Sequence, residues 1–197
     1  VRDHSPAEIE IDIDDLDHQS RSKWLSAAAS PRPVALVSTR NGGVENVAPM
    51  TSVSMVSTTP PLAVMSLSQN REGKMRDTYL NLIETKECEL QFLAPTMRAA
   101  KDVDLTSKPI DGSEWDLIEV EGPIHPLAVV VMKCRLVEDR ALPEGAVARL
   151  VTLRIEKLIV PFEQPPDEGL ALLCQHGMDK LTPTPVDWTH TATHHKR

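Results

Sequence analysis

The feature that most constrains the fold is a tight turn between two short strands early in the chain. Residues 34–37 (Val-Ala-Leu-Val) form an apolar run of strand length. Asn41-Gly42 follows, and this pair is a strong hairpin signal because both residues tolerate the positive φ of a type I′ turn. The return strand, residues 44–54, is rich in small and hydroxyl side chains. We therefore predict an antiparallel hairpin with its turn at Asn41-Gly42.

A proline pair separates this hairpin from a third predicted strand. Pro60-Pro61 breaks the pattern, because proline cannot donate to a sheet ladder. Residues 62–68 then form the third strand, residues 69–76 a polar basic loop, and a helix begins at Asp77, a good N-cap residue. Strand-end hydroxyls, a basic loop and a helix start thus occur close together. That combination suits an anion such as phosphate, which the N–H groups of a helix start favour.

Four motifs in this stretch, taken in order, resemble a known family. They are Arg-Pro-Val-Ala-Leu-Val-Ser-Thr at 32–39, Asn-Val-Ala-Pro-Met-Thr-Ser-Val at 46–53, Pro-Pro at 60–61 and Lys-x-x-Asp-Thr-x-x-Asn at 74–81. The ordered set resembles the flavin reductase-like family, firmly over about residues 25–95. The resemblance implies a mainly β fold, the FMN-binding split β-barrel of mostly antiparallel strands with a few helices.

The resemblance also implies where a flavin would bind. In the family, residues matching 48–52 present backbone N–H groups and hydroxyls along the polar edge of the ring, and donors there stabilise the charge that reduction brings. Lys74, Asp77 and Thr78 match the phosphate end, where Asp77 would cap the helix or orient its basic neighbours. Without the resemblance, Asp77-Thr78 indicates simple helix capping. The implied cofactor-binding residues are Arg32, Pro33, Asn46, Ala48, Pro49, Met50, Thr51, Ser52, Ser66, Leu67, Ser68, Lys74, Asp77 and Thr78.

The implied activity is that of an NAD(P)H-dependent FMN oxidoreductase, with FAD as a possible replacement for FMN. By resemblance the protein is a homodimer with flavin near the interface, and it passes reduced flavin to a partner monooxygenase or reduces a small acceptor such as ferric iron. The alternative is a non-catalytic flavin store or sensor. No catalytic side chain is assigned, because hydride transfer is the cofactor's own chemistry. The Rossmann fingerprint and the P-loop are both absent from the sequence.

Composition excludes several classes of function. The net charge of −8 argues against nucleic acid, whose phosphates call for a basic surface. No apolar run reaches membrane-spanning length, and the first residues lack the apolar core of a signal peptide, so we expect a cytoplasmic protein without membrane contact. Three cysteines without a Cys-x-x-Cys motif indicate reduced thiols.

The rest of the sequence predicts further elements. Residues 22–28 and 96–103 indicate helices, the second with Met97, Ala100 and Val103 on one side. In the helix from Asp77, the buried face is predicted to include Leu80. Residues 87–93, 126–136 and 150–160 indicate strands. The alternation changes phase at Leu158, which predicts a bulge. Trp115 is interpreted as a core anchor.

Three segments complete the predicted organisation: an acidic arm at 1–20, the barrel domain at 21–164 and a C-terminal extension at 165–197. The isoleucines of the arm alternate with acids, so either a solvated arm or a short edge strand fits. His190 and His194 have helical spacing for a metal, but the threonines around them disfavour a helix, and we expect no metal. Residues 174–179 (Cys-Gln-His-Gly-Met-Asp) depart from the Arg-x-Gly-Gly pattern that many family members carry on the substrate side.

Overall fold

The fold is that of a computed structural model, which describes residues 9–70, 72–108, 110, 112–164 and 169–182 of the 197. The helices of this part of the chain are α1 (His18–Ala28), α2 (Asp77–Thr85) and α3 (Met97–Thr106), with a 3-10 helix at Glu114–Ile118. The strands are β1 (Arg32–Pro33), β2 (Ala35–Asn41), β3 (Val44–Met50), β4 (Val53–Thr58), β5 (Pro61–Ser68), β6 (Glu87–Leu93), β7 (Ala128–Ala141), β8 (Ala148–Ile159), β9 (Cys174–His176) and β10 (Lys180–Thr182).

Seven strands form one antiparallel sheet in the order β3-β2-β6-β7-β8-β5-β4. The edge strands β3 and β4 are consecutive, since the predicted return strand 44–54 is divided by a link of two residues, Thr51 and Ser52. Met50 and Val53 on either side of the link lie within about 11 Å of each other. The sheet must therefore roll until its edges meet at this end, although no ladder joins β3 to β4 in the described residues. This rolled, mainly antiparallel sheet confirms the predicted split barrel.

Strand β2 is buried on both faces, which explains its unbroken apolar run. Ala35 and Val37 face the interior of the roll, in a core shared with Met65 of β5. Leu36 faces outward into a second core, under α3 and the 3-10 helix, which includes Trp115. Trp115 is 3% exposed, so its interpretation as a core anchor is confirmed.

The predicted hairpin is confirmed, but its turn lies one residue later than expected. Asn41 pairs with Val44, so the two central residues are Gly42 and Gly43, with φ angles of 57° and 85°. These angles fit a type I′ turn, and glycine adopts them without steric cost. The pairing register places Asn41 at the end of β2, where the sequence had predicted the first turn residue.

The buried face of α2 differs from the apolar pattern in the sequence. Thr78 and Leu82 are buried and Tyr79 is half-buried, whereas Leu80 is 50% exposed. The prediction that Leu80 lies on the buried face is therefore wrong. The reason is a polar contact, because the Thr78 side chain is held against the hairpin by Asn46.

Helix α3 buries only part of its predicted apolar side. Val103 is buried and Ala100 is half-buried, whereas Met97 is 74% exposed. The buried residues of α3 are Ala99, Asp102, Val103 and Thr106. Asp102 faces inward because its carboxylate lies 3.0 Å from Nε2 of the buried His125. A polar contact made far along the chain therefore sets the rotation of the helix.

Strands β7 and β8 form a long ladder that two irregularities bend. The register shifts between Lys133 and Cys134, which leaves Glu156 as an extra residue on β8. The sequence had predicted a bulge at Leu158, two residues away in the same strand. A second shift leaves Val137 extra on β7. Bulges of this kind increase strand twist and help a sheet to roll.

The N-terminal arm is solvent-exposed where it is described. Residues 9–17 form no strand and Ile9 is 81% exposed, so the edge-strand alternative is wrong for this part. Helix α1 begins at His18, four residues earlier than predicted, because the Asp17 carboxylate caps it by accepting the Ser20 N–H at 2.9 Å.

A second, three-stranded sheet brings residues 174–182 onto the start of the barrel, in the order β1-β9-β10. The Val34 N–H donates to the Leu173 carbonyl at 3.0 Å, and the Leu173 N–H donates to the Leu93 carbonyl at 2.9 Å. The segment before β9 thus lies between the ends of β2 and β6. The predicted domain boundaries stay predictions, and residues 183–197, with His190 and His194, lie outside the described residues.

All three cysteines are buried. Cys88 of β6 stands directly opposite Cys134 of β7, a proximity that their separation in sequence did not indicate. A hydrogen bond with Cys134, together with burial, raises the pKa of the Cys88 thiol well above its usual value. Both behave as small apolar core residues.

Candidate functional site

Most of the predicted cofactor residues lie at the end of the rolled sheet where its edges meet. Ser52 in the link is tied to Ser66 of β5 twice: the Ser66 N–H donates to the Ser52 carbonyl at 3.4 Å, and the Ser52 hydroxyl donates to the Ser66 carbonyl at 2.7 Å. Ser52 and Ser68 are exposed, and Thr51 is half-buried. The link therefore has a fixed position and a solvent-facing polar surface.

Strand β3 presents its predicted residues on two faces. Asn46, Ala48 and Met50 alternate along one face, which Val37 of β2 shares, and Pro49 points to the opposite face. The first face is the one that turns toward α2 and the interior of the roll. Pro49 can therefore reach a ligand on that face only through its main chain.

Backbone donors along β3 are fewer than the resemblance implied. The Val47 N–H points away from β2 and donates to Oε2 of Glu114 at 3.1 Å. Because the direction of the N–H groups alternates along an antiparallel strand, those of Ala48 and Met50 point toward β2. The remaining backbone donors of segment 48–52 belong to the link, residues 51–52. Any ligand at this edge must take its main-chain hydrogen bonds there.

A buried polar network fixes the start of α2 to the hairpin. The Asn46 amide donates to the hydroxyls of Thr78 at 3.2 Å and of Thr39 at 3.4 Å, and the Asn81 amide donates to Thr39 at 3.3 Å. Thr78 and Thr39 are each 2% exposed. The structure thus brings together Asn46 and Thr78, two predicted site residues, and gives the Thr78 hydroxyl an anchoring contact.

The first turn of α2 is open at its N-terminus. Arg76 is the N-cap, no side chain caps the helix, and Asp77 is the first helical residue, so the predicted capping by Asp77 is wrong. The N–H groups of Tyr79 and Leu80 both donate to the Arg76 carbonyl, at 3.0 and 3.2 Å. The N–H groups of Asp77 and Thr78 precede any intrahelical partner. This helix start can accept an anion.

Two carboxylates lie near this helix start. Burial raises the pKa of Glu114 above its usual value, the N–H bond from Val47 opposes the rise, and the charge of Asp77 adds to it. Asp77 itself is exposed. The acids partly offset the attraction of the helix start for an anion, so side-chain cations nearby gain importance.

The loop before α2 has a defined shape. Asn70 Oδ1 accepts the N–H groups of Glu72 at 3.0 Å and Lys74 at 2.9 Å, and Asn70 N–H donates to the Lys74 carbonyl at 2.7 Å. Gly73 permits the turn with a φ of 76°. Arg71 lies outside the described residues. The Asn70 contacts therefore fix the position at which α2 begins.

A basic residue beside α2, on a distant strand, was not predicted. Lys74 is 75% exposed and pairs with Glu72 at 3.1 Å. Arg149 of β8 instead lies 5.9 Å from the Tyr79 ring and bonds Asp139 Oδ1 at 2.7 Å, while the Tyr79 hydroxyl bonds Asp139 Oδ2 at 2.9 Å. Arg149 stands opposite Leu67 in the ladder. Only the strand pairing reveals this cation, because it lies 72 residues from Asp77.

Arg32 and Pro33 precede β2 at the same end of the sheet as the link. The Arg32 Nη2 donates to the Gly177 carbonyl at 2.9 Å, and its Nε is buried without a partner. Pro33 pairs with Cys174. The Arg32 guanidinium is therefore held through Nη2, and its buried Nε–H has no acceptor.

Neither the Leu67 side chain nor the grooves of the described surface form a closed site at the predicted cofactor residues. The Leu67 side chain is 1% exposed in the interior core, so it reaches a ligand only through its backbone. Two grooves of the described surface, of about 280 Å³ around Thr39–Gly43 and about 510 Å³ along Met55–Thr59, lie away from the predicted cofactor residues. The cradle for a flavin ring is thus an open surface in a single chain. Among the described residues, no three His, Cys, Asp or Glu are placed to share a metal ion.

Comparison with a protein-family model decides the relationship that the motifs implied. The model described as "Flavin reductase like domain" matches residues 27–182, which is most of the chain. This chain belongs to the flavin reductase-like domain family. The match includes the link, α2 and the β9 segment, so every predicted cofactor residue falls inside it.

A curated relative within this family is the uncharacterised protein YwrF of Bacillus subtilis. It is 42% identical over 116 residues, which cover 58% of this chain and 54% of YwrF. The chain thus spans about half the length of that relative. No helix in the described ranges has the length and apolarity to cross a membrane.

Solved structures share the fold of this flavin reductase-like chain. Nitrilotriacetate monooxygenase component B from Bacillus cereus has a TM-score of 0.79 at 20% identity, covering 94% of this chain and 100% of its own. The FMN-binding protein from Thermus thermophilus with bound p-hydroxybenzaldehyde has a TM-score of 0.64 at 17% identity, covering 84% and 93%. At these identities the likeness shows the fold alone.

Proposed function

We propose that this protein binds FMN at the link end of the rolled sheet and serves as an NAD(P)H-dependent flavin reductase. One arrangement carries the proposal: the uncapped start of α2 is fixed by the Asn46–Thr78 contact to the same hairpin that leads into the link. A helix start suits a phosphate, and the donors of the link suit the polar edge of a flavin ring. Bound FMN would supply the redox chemistry, taking a hydride from a nicotinamide and passing it on.

The donor set fits FMN on three observations. The N–H groups of Asp77 and Thr78 have no intrahelical partner, Arg149 places a cation beside the same helix, and Arg32 Nε is a buried donor without an acceptor. The similar fold of an FMN-binding protein from Thermus thermophilus supports FMN, with FAD as the alternative.

Each part of the chain then has a role in binding. Thr51 and Ser52 donate to the ring edge, Arg32 and Pro33 lie beside the ring, and the first turn of α2 holds the phosphate. No side chain is assigned as a general acid or base, because the residues orient the reactants and exclude water. The proposed contacts include the main chain of Ala48, Pro49, Met50 and Leu67, the hydroxyls of Ser66 and Ser68, and the charge of Lys74, with Asn46 and Thr78 as anchors.

We further propose that two copies form a dimer that covers the open cradle. Strand β4 is an edge of the sheet, and its Met55 and Val56 are 44% and 54% exposed. An unpaired edge strand with exposed apolar side chains is a frequent contact surface. Sedimentation should give a dimer, and Val56→Lys should shift it toward monomer. A wild-type monomer that binds FMN would remove the dimer from the proposal.

The electron acceptor follows two lines of support. Similarity to a monooxygenase component supports delivery of reduced flavin to a partner monooxygenase. Reduction of a small acceptor such as ferric iron is the second enzymatic candidate. A non-catalytic flavin store or sensor is the alternative class, favoured by the departure from Arg-x-Gly-Gly at 174–177. Cys88 and Cys134 face each other across two strands without forming a disulfide, which supports a cytoplasmic location.

Anaerobic titration of the purified protein plus FMN with NADH and then NADPH separates these candidates. Bleaching of the flavin absorbance at a rate that needs the protein supports the reductase and identifies the coenzyme. Bound flavin that neither coenzyme bleaches supports the store or sensor. Protein that leaves added FMN free in solution overturns both.

A further inference from the structure

The small sheet at the C-terminal side carries two buried nitrogens that no protein atom satisfies. In the described ranges, the buried side-chain atoms without a hydrogen-bond partner are Arg32 Nε, Trp115 Nε1 and His176 Nε2. Arg32 and His176 both belong to the β1-β9-β10 sheet. Buried polar groups almost always have a partner, so each of these atoms marks a position where one is missing.

Trp115 differs from the other two because no space adjoins its nitrogen. A Cβ added at Gly122 would lie only 3.1 Å from Trp115 Nε1, so the indole packs directly on the Gly122 backbone. Its unpaired N–H is a consequence of close packing in the outer core. The two atoms of the small sheet are the ones that a ligand can satisfy.

His176 lies on the face of the small sheet that continues the proposed cradle. Cys174 pairs with Pro33, and His176, two residues further along β9, projects to the same side. Pro33 leads directly into β2, at the end of the sheet where the link joins its edges. The imidazole is therefore placed to meet a molecule that lies against a flavin bound in the cradle.

The charge around His176 is positive. The Arg32 guanidinium is bonded to the carbonyl of Gly177, the residue after His176, and Lys180 stands opposite His176 in the β9–β10 ladder. Asp179 is the acidic residue of the intervening turn. Two cations against one acid favour an anionic oxygen as the missing partner.

We propose that His176, assisted by the charge of Arg32 and Lys180, binds the carboxylate of a planar second substrate against the flavin. The proposal rests on the proposed flavin site and gives that site a substrate class. The imidazole stands in the segment that departs from the Arg-x-Gly-Gly pattern. In this proposal His176 is a substrate-contact residue.

Benzoate and its neutral analogue benzamide are suitable probes. With FMN-loaded protein, each is titrated while the absorbance of the bound flavin is followed. We expect benzoate to perturb the spectrum and bind more tightly than benzamide. In His176→Ala, the Kd for benzoate should rise about tenfold, as for loss of one charge-assisted hydrogen bond. The Kd for FMN should stay within about twofold, since the histidine faces the second substrate.

Matched variants keep the test decisive. His18→Ala removes an exposed histidine of α1 and should change neither Kd. His176→Gln retains a donor and should restore part of the benzoate affinity, which a purely structural role would not produce. Lys180→Gln should weaken benzoate by about threefold through charge alone. These two replacements also serve if His176→Ala does not fold.

Several results would overturn the proposal. Equal benzoate affinity in wild type and His176→Ala would do so while leaving the flavin site intact. If His176→Ala weakens the binding of FMN and benzoate alike, the missing partner of His176 Nε2 is an oxygen of the flavin itself. If inorganic phosphate competes for the site as strongly as benzoate binds it, the missing partner belongs to the coenzyme. If wild-type protein binds no FMN, the proposed function fails, and the carboxylate site is judged separately by whether benzoate raises the Tm of wild type and not of His176→Ala.

Discussion

Two histidines in different layers of the molecule have buried ring nitrogens in opposite hydrogen-bonding states. His125, under α3, is 1% exposed, and its ring is fully partnered: Nε2 lies 3.0 Å from Asp102 Oδ2, and Nδ1 accepts the Leu127 N–H at 3.1 Å. His176, in β9, has a buried Nε2 with no partner. A buried ring nitrogen with a protein partner stabilises the fold, whereas one without a partner marks a position where a ligand can bind.

The region around His125 is a closed polar network. Arg98 Nε donates to both carboxylate oxygens of Asp102, at 2.9 and 2.7 Å, and the His125 N–H donates to Gln91 Oε1 at 2.8 Å. Gln91 Nε2 donates in turn to the Pro123 carbonyl at 2.6 Å. These bonds join α3, β6 and the loop before β7. The network therefore fixes the position of the outer layer and has no role in the proposed flavin cradle.

The largest expected effect comes from opening this network. Asp102→Ala leaves the His125 ring nitrogen Nε2 without its partner in a buried site, so we expect the free energy of unfolding to fall by about 3–5 kcal/mol. FMN affinity of the folded protein should not change. Urea denaturation and FMN titration measure the two quantities. Asp104→Ala, on the exposed face of the same helix, is the matched control. If the free energy of unfolding falls by less than about 1 kcal/mol, the contact of Asp102 with His125 is not essential to the fold.

The same contrast predicts a pH dependence of stability. Burial lowers the pKa of His125 below its usual value, and the hydrogen bond from its ring to the Asp102 carboxylate only partly opposes this. The unfolded chain takes up a proton near pH 6.5, whereas the folded chain does so only at lower pH. The stabilisation is therefore complete above about pH 6.5 and declines as the pH falls below it, by at most about 1.4 kcal/mol per pH unit.

Urea midpoints between pH 8 and pH 5 test this dependence. His125→Gln should flatten the decline, because glutamine does not titrate. A decline that survives in His125→Gln would assign it to other groups and remove the proposed pH role of the outer network.

A smaller effect is expected where a satisfied network borders the cradle. Thr78→Val removes the acceptor of the Asn46 amide, and we expect a loss of about 1 kcal/mol in stability. Because α2 is then less firmly held, FMN affinity should fall about fivefold. Thr85→Val, at the other end of α2, is the control and should leave FMN affinity intact. If the two variants bind FMN equally well, the position of α2 does not determine flavin affinity.

The smallest effect is expected at Lys74. Its ion pair with Glu72 joins side chains that are 75% and 71% exposed, so Lys74→Ala should change stability by less than about 0.5 kcal/mol. Arg149→Gln removes the partly buried bond to Asp139 and should cost about 1 kcal/mol. Thermal denaturation of both variants makes the comparison. A larger loss for Lys74→Ala would reverse the assignment of Arg149 as the structurally engaged cation.

Local signals in the sequence predicted most of the strands and the hairpin. The Asn41-Gly42 pair predicted a tight turn, and the apolar run 34–37 predicted a strand. The turn position was wrong by one residue because the Asn41–Val44 pairing, rather than turn propensity, fixes the register. The bulge was displaced for a similar reason, since strand pairing decides which residue is extra.

Contacts between distant parts of the chain set what the sequence could not predict. The face of α2 depends on Asn46, and the face of α3 depends on His125. Arg149 enters the site only through strand pairing. The unpaired state of His176 Nε2 is a property of the three-dimensional surroundings alone. Motif spacing therefore predicted where the cradle lies, and the geometry alone pointed to Arg149 and His176 beside it.

A side-by-side fluorescence titration with FMN and riboflavin tests the central claim most directly. The two flavins differ only by the phosphate, which the account assigns to the open start of α2. We predict that FMN binds about 10- to 100-fold more tightly than riboflavin, as expected for charge-assisted hydrogen bonds to one phosphate. Equal affinities, or no binding of either flavin, would contradict the account.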